Sequence, residues 1–561
     1  MILPDDQLLD LVIKSKLADE KAIRDAAEHA KLSGISLEQS LVERSVIPDA
    51  KLGEAVAQNL KLPFVSLSGV SIPEDVIYLI PSRVARRFKL IAFARTQEGI
   101  KVAVNNPDQK LVLENLARKT GQKVIPFLAT TKDIESTLLV YKKDLQSEVD
   151  NLLKEDMGRP MGSPFEDPPV ANIVDLLINS AYEEKASDIH IEPQEQSSLV
   201  RFRVDGILQD ILLVPMMLHD RMITRIKVLS NLRTDEHLSA QDGKMRIPLE
   251  EENLDIRVSI IPIAGGEKAV LRLLSSRSRE LSLKDLGMNE VDLAKITRAY
   301  NKSYGMILST GPTGSGKTTS IYAILKILNV REKNITTIED PVEYHIKGAN
   351  QVQTNAKTNL TFAQGLRSIL RQDPNIIFVG EIRDNETAGI AVNAALTGHL
   401  VLSTLHTNDA ATAIPRLTDM KVEPFLVSST VSVIFAQRLV RKVCSFCRQE
   451  STIDMEEMGK NFPPEVIKRN YGDKKTINIA KGKGCKMCRQ SGYLGRVGLF
   501  EVLEVTPVIR KLINEKNDAD TIGKAAVKEG MTVMIDDGLI KISQGVTTIE
   551  EVLRVTRSEF V

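Results

Sequence analysis

Residues Gly311-Pro-Thr-Gly-Ser-Gly-Lys-Thr318 match GxxxxGK[ST] at every fixed position. Met306-Ile-Leu-Ser-Thr310 before them reads as a buried strand, and Thr319–Leu328 after them as a helix. A glycine-rich turn between strand and helix lets backbone N–H groups wrap a phosphate, and the helix N-terminus adds partial positive charge. Gly311, Pro312, Thr313, Gly314, Ser315, Gly316, Lys317, Thr318 and Thr319 are therefore the expected nucleotide cradle. Lys317 is placed to meet the β- and γ-phosphates of ATP, and the Thr318 hydroxyl to ligate Mg2+. An α/β domain with a parallel sheet must surround such a loop.

Two further strands deliver acids where open parallel sheets bind ligands, at their C-terminal ends. Ile335-Thr-Thr-Ile leads to Glu339-Asp-Pro-Val-Glu343. Ile376-Ile-Phe-Val leads to Gly380-Glu381, with glycine where many phosphate-loop proteins carry aspartate. Either carboxylate can act on the attacking water: Glu339 is the preferred candidate and Glu381, beside Mg2+ through water, the rival. His399 and His406 flank Leu400–Leu405. Seven residues apart, they do not have i,i+4 metal-ligand spacing; a γ-phosphate sensor is one reading and a strand cap another.

At 561 residues the chain needs several cores. Acidic and basic residues balance at 74 each, so no net field draws nucleic acid. The longest uncharged apolar stretch in the C-terminal half, Pro424–Gln437, is broken by serines and threonine and falls short of the roughly 20 residues a span needs. No secretory signal opens the chain, so a cytosolic protein, or one docked on a membrane through partners, is expected.

Residues 1–145 begin with helical periodicity: Leu8, Leu11, Val12 and Ser15, then Ala22, Ile23, Ala26 and Ala27. A second copy follows in Leu37, Leu41 and Val42, then Leu52, Val56 and Leu60. Glu98-Gly99 lies between two strand-like runs and suggests a hairpin, and 111–119 reads as a helix. The stretch 146–169 is expected to be a linker, since 157–169 is dense in proline and glycine. Residues 170–275 combine a helix (170–185) with alternating strands such as Leu199–Val204, and 276–561 alternate strands and helices.

The four cysteines form two CxxC pairs, Cys444/Cys447 and Cys485/Cys488. Four thiolates so spaced suit tetrahedral Zn2+ and leave no open position, which makes a structural site within a subdomain of about 441–498; a redox pair or four unrelated thiols are the alternatives. Lys481, Lys483, Lys486 and Arg489 around the second pair favour thiolates.

Several of these stretches recur together in one family. Ala186-Ser-Asp-Ile-His-Ile-Glu-Pro193, Arg201-Phe-Arg-Val-Asp-Gly206, Gln241-Asp-Gly243 and Gly266-Glu-Lys268 precede the phosphate loop. The acidic box 339–344, Leu370-Arg-Gln-Asp-Pro374, Gly380-Glu381, the histidine box 397–409 and Ala436-Gln-Arg-Leu-Val440 follow it. The chain resembles the secretion-type ATPases, the type IV pilus extension motors and their type II secretion counterparts, closely from about 170 onward and loosely before 145. The resemblance implies a RecA-like phosphate-loop domain, a PAS-like α+β middle domain, a mostly helical N-terminal domain and a small zinc subdomain. It implies a homohexameric motor that hydrolyses Mg-ATP between the middle and C-terminal domains. Arg203, Arg257 and Arg272 are its candidates to reach the phosphates, with Arg201 and Arg225 weaker. It also implies cytoplasmic accessory proteins and a membrane-embedded platform at the inner face of the bacterial inner membrane. The N-terminal domain type and Gly348-Ala-Asn-Gln-Val-Gln-Thr-Asn355 look more like pilus extension than type II secretion.

Residues 7–62 resemble the twin motifs that bind cyclic di-GMP in some relatives, which begin Arg-Leu-Gly and carry a later glycine. Here Gln7-Leu8-Leu9 and Lys16, then Ser36-Leu37-Glu38 and Ser45, occupy those positions. Without the arginine to stack and the glycine to admit close approach, the domain is expected to keep its fold and not bind cyclic di-GMP. A DNA-translocating ATPase and a nucleotide-binding module without turnover are the rival readings. Neutral charge opposes the first, and the full set of acids opposes the second.

Overall fold

The computed structural model describes residues 3–15, 17–33, 36–43, 46–67, 70, 72–138, 145–157, 170–249, 252–275, 282–343, 345–485 and 488–556. The chain divides into two compact units, Met1–Asn151 and Leu152–Val561.

In the first unit, helices α1 (Asp5–Lys14), α2 (Glu20–Ser33), α3 (Leu37–Glu43) and α4 (Asp49–Asn59) bury Leu8, Val12, Ile23, Ala26, Leu37, Leu41, Leu52 and Val56 in one core. Those are the positions whose spacing predicts two helix pairs. Lys16 and Ser45 lie outside the described residues. The hairpin is present as β1 (Leu90–Thr96) antiparallel to β2 (Gly99–Val104). A third strand that the sequence reading lacks, β3 (Val124–Leu128), runs parallel to β2 after the helix Lys110–Thr120. Within the expected linker 146–169, the first part is helical, over Leu145–Met157. Its apolar positions Leu145, Val149, Leu152 and Leu153 recur at helical spacing. The proline-dense remainder, 158–169, lies outside the described residues.

The second unit opens with the helix Val170–Glu183, which buries Ile173, Val174, Leu177 and Ile178. A six-stranded antiparallel sheet follows: β4 (Asp188–Pro193), β5 (Ser197–Val204), β6 (Ile207–Pro215), β7 (Gln241–Pro248), β8 (Asn253–Ile263) and β9 (Gly266–Leu274), in spatial order β6-β5-β4-β9-β8-β7. Burial alternates along β5, β8 and β9, as expected of a sheet with one face inward.

The same unit continues into a seven-stranded sheet built from β10 (Gly305–Thr310), β11 (Ile335–Glu339), β12 (Ala349–Gln353), β13 (Ile376–Val379), β14 (Leu400–Leu405), β15 (Val431–Val443) and, after an insertion, β18 (Tyr493–Glu504). The order is β12-β11-β13-β14-β10-β15-β18, with every neighbour parallel except β15 and β18. Strands β10, β11, β13 and β14 are buried at every position, because helices cover both faces. One face packs Leu366, Val392 and Leu417; the other packs Ile321, Phe435 and Phe500. The insertion holds β16 (Arg448–Asp454) antiparallel to β17 (Thr476–Gly482), with the helices Met455–Gly459 and Pro464–Tyr471 between them. Among the described residues no helix is long and apolar enough to cross a membrane.

Candidate active site and metal centre

The phosphate loop leaves the C-terminal end of β10 and enters the helix Lys317–Leu328. Gly311, Gly314 and Gly316 have φ of 138°, 78° and 91°, a region that side chains with a Cβ rarely adopt. At two of them the space is also taken. A Cβ on Gly311 would stand 2.5 Å from the Gln437 carbonyl oxygen, and one on Gly316 2.7 Å from Gln437 Nε2. Gln437, on β15, thus braces both ends of the loop. Its Oε1 accepts from Ser320 Oγ at 2.6 Å. Lys317 Nζ donates to the carbonyls of Gly311 (2.8 Å) and Pro312 (3.0 Å). Burial lowers the Lys317 pKa to about 8, against the attraction of Glu381 and with the repulsion of Arg438.

A cavity of about 1120 Å³ opens over the loop, ample for a nucleoside triphosphate. Residues 312–319, Glu339, Glu381, His406, Arg203 and Arg272 all line it. Strand ends bring the acids there, since β11 delivers Glu339 and β13 delivers Gly380-Glu381 on the same side as the loop.

The two glutamates stand in different surroundings. Glu339 is 3% exposed. Its oxygens accept from Thr337 Oγ1 at 2.6 Å, from Gln351 Nε2 at 3.2 Å and from the Tyr322 hydroxyl. Burial raises its pKa above the usual carboxylate range; those three donors oppose the rise, and Glu343 adds to it. Glu381 instead meets cationic and titratable partners, Arg383 Nε at 2.6 Å and His406 Nε2 at 3.2 Å.

The histidines separate. His406 follows the C-terminal end of β14 and lies in the cavity. His399 precedes the strand, outside the cavity lining, where its Nδ1 lies 3.0 Å from Ala394 O at the end of the helix Asn385–Leu396. Its expected place beside phosphate is corrected to a helix-end contact.

The middle-region arginines sort by their acidic partners. Asp188 of β4 is the register partner of both Arg203 (β5) and Arg272 (β9). Its carboxylate lies 3.2 Å from Arg203 Nε and 3.0 Å from Arg272 Nε. Both arginines line the cavity that the phosphate loop also lines. Arg257 does not line the cavity; it donates to Val342 O at 3.0 Å and pairs with Glu343 at 3.3 Å. Arg201 is held by Glu192 at 2.7 Å, and Arg225 lies on the helix Met216–Leu229; neither lines the cavity. Asp188, Tyr322, Gln351, Gln437 and Arg438 escape the reading of the sequence as site residues. Only Gln437 carries a signal of its own, a lone amide inside the apolar run 431–440.

The cysteines meet at the neck of the insertion. Four thiolates about 2.3 Å from a tetrahedral ion lie about 3.8 Å apart. The Sγ separations are 3.9 Å for Cys444–Cys485, 3.8 Å for Cys447–Cys488 and 3.6 Å for Cys485–Cys488, and all four sulfurs lie within 4.8 Å of one another. Backbone N–H groups of Gly484, Cys485 and Gly492 point at these sulfurs, at 3.3, 3.2 and 3.2 Å. Such donors stabilise thiolates. Burial pushes the Cys444 thiol up to about 12. Burial opposes ionisation of Cys488 too, but the N–H groups of Cys485 and Gly492 bring it to about 7. The donor set and its spacing fit zinc. Of the neighbouring cations, Lys486 lies outside the described residues.

A family model described as "Type II/IV secretion system protein" matches residues 165–554, and one described as "MshEN domain" matches residues 60–145. The latter begins after the four helices. The type IV pilus assembly ATPase PilB of Myxococcus xanthus (strain DK1622) is 35% identical, over 98% of each chain. Type II secretion system protein E of Pseudomonas aeruginosa (strain PAO1) is 45% identical, over 91% of this chain and 99% of its own. The crystal structure of the Legionella pneumophila ATPase DotB, 22% identical, aligns with a TM-score of 0.52 over 71% of this chain and 98% of its own, a likeness of fold. With its phosphate loop intact and both relatives aligned over nearly all of its length, the chain belongs to the type II/IV secretion system protein family, as one of its ATPases.

Proposed function

We propose that this ATPase is a motor that turns hydrolysis of Mg-ATP into movement of the middle region against the seven-stranded sheet. The observation that carries the reading is the composition of one cavity: phosphate loop, two acids and a histidine from the parallel sheet, and Arg203 and Arg272 from the other sheet. Lys317 and the loop N–H groups bind the phosphates, and the Thr318 hydroxyl would hold Mg2+, with Glu381 lining the same cavity. The metal supplies charge neutralisation at the phosphates. Glu339 takes the proton of the attacking water. Its buried, elevated carboxyl suits that task better than Glu381, which is engaged with Arg383 and His406. Arg203 and Arg272 reach charge that develops on the transferred group, and departure of the released phosphate takes that charge away and frees the two sheets to part.

The working form is a homohexamer that acts with a platform protein at the inner face of the inner membrane and with cytoplasmic accessory proteins. Its work is pilin polymerisation in type IV pilus extension. Alignment with a pilus assembly ATPase over 98% of both chains, the N-terminal region included, favours that reading. Pseudopilus assembly in type II secretion is the second reading, favoured by the 45% identity to a type II secretion protein E. Deleting the gene in its source bacterium and scoring surface pili against exported protein separates the two. Restoration by the wild-type gene and not by Lys317→Ala ties either phenotype to the nucleotide. Loss of neither pili nor export on deletion overturns both readings.

A further inference from the structure

Gln351 stands on β12 opposite Thr337 of β11, next to the strand that ends in Glu339. Its amide is engaged at both ends. Oε1 accepts from Ile346 N at 2.8 Å, and Nε2 donates to Glu339 Oε1 at 3.2 Å, with Tyr322 Oη 3.5 Å away. Ile346 belongs to the segment that starts at Asp340, directly after Glu339. From the other sheet, Arg257 holds that segment through Val342 O and Glu343. A continuous path therefore runs from the middle region, through Arg257 and the loop after β11, to Gln351 and the Glu339 carboxylate. Because one planar amide serves both partners, a shift of Ile346 that Gln351 follows also moves the donor it offers to Glu339.

We infer that Gln351 is a positioning residue that aligns the Glu339 carboxylate only while Arg257 holds the loop, so that hydrolysis waits on the seating of the middle region. The inference rests on Glu339 as the group that handles the attacking water. It assigns Arg257 a task different from that of Arg203 and Arg272, which line the cavity over the phosphate loop. It also gives the stretch 348–355 a part in the chemistry without contact to the nucleotide. A misplacement of about 1 Å in a reacting group costs up to about a hundredfold in rate, so one hydrogen bond that fixes a carboxylate has leverage beyond its own strength.

The test uses the full chain, measuring phosphate release for kcat and KM, and binding of a fluorescent ATP analogue for affinity. Gln351→Ala removes the amide, and Gln351→Met removes it while keeping the length and packing, should the alanine variant fold poorly. Both are expected to lower kcat about tenfold or more while analogue affinity stays within about threefold of wild type. Arg257→Ala is expected to do the same, and the double variant to be no slower than the slower single one, since the two residues act in series. Wild-type kcat in Gln351→Met, or losses that multiply in the double variant, overturns the inference. Glu339→Gln separates it from the reading beneath it. If Glu339→Gln is inactive and Gln351→Met is unimpaired, the inference alone fails; if Glu339→Gln turns over at the wild-type rate, both fail.

Discussion

The ammonium of Lys317 donates to the Gly311 carbonyl oxygen at 2.8 Å, across the mouth of the phosphate loop. A triphosphate entering the loop offers stronger acceptors than that carbonyl. Lys317→Ala is therefore expected to lower phosphate release about 10²- to 10³-fold and leave thermal unfolding within a few degrees of wild type. Wild-type turnover in the variant removes the loop from the mechanism.

The same lysine gives a pH signature. Burial places its pKa near 8, and bound phosphates favour the charged form, which raises it. Below pH 8 the group is charged with or without nucleotide. Above pH 8 binding must take up a proton, so affinity falls by up to about tenfold per pH unit until the pKa of the bound state is reached. Calorimetry in two buffers of different ionisation heat should show little proton uptake at pH 7 and uptake approaching one at pH 9, and none at either pH in Lys317→Ala.

Glu339 is predicted to act as an ionised base. Glu339→Gln should lower turnover about 10²- to 10⁴-fold with nucleotide affinity kept. Tyr322→Phe removes a donor that favours the ionised carboxyl, so a pKa already raised by burial rises further. A base works above its pKa, so the acid limb of the kcat–pH profile should move to higher pH. An unmoved limb would assign that limb to another group.

Arg272→Ala should slow turnover about 10³- to 10⁵-fold if its guanidinium meets transition-state charge. Arg257→Ala should cost much less, because the side-chain partners of Arg257 are Val342 and Glu343, in the loop after β11. Equal losses would mean that both act by holding the sheets together.

One zinc per chain is expected by elemental analysis. Stripping it, or Cys447→Ser with Cys488→Ser, should open residues 448–482 to protease while the phosphate-loop sheet resists. Binding free energies of about 10–16 kcal/mol for structural zinc make the metal the main constraint on so small an insertion. Protection without metal would leave the β16–β17 core as the sufficient one.

The phosphate loop and the acids were legible because strand, glycine spacing and helix agree at every level. Strand direction also distinguishes the histidines: ligands gather at the C-terminal ends of parallel strands, where His406 lies and His399 does not. The arginines were not separable by pattern. Arg201 and Arg203 share one face of β5, yet Glu192 takes the first and Asp188 the second. Nothing near Arg257 in the chain announces Glu343, 86 residues on. Tyr322 and Gln351 were hidden for the same reason, since their tie to Glu339 depends on which strands become neighbours. The helix Leu145–Met157 was missed because it runs straight into the proline-dense stretch.

Strand β15 is the long member of its sheet, thirteen residues against four to six for the parallel strands beside it. Gln437, near its middle, abuts the glycines of the phosphate loop, and the strand then runs to Cys444 at the base of the insertion. Seven residues of extended backbone cover about 23 Å. Paired along that length with β18, the strand joins the phosphate loop to the cysteine site without an intervening loop. Whatever displaces Gln437 therefore loads the cysteine site through backbone already hydrogen-bonded into a sheet, with no slack segment between them to absorb it.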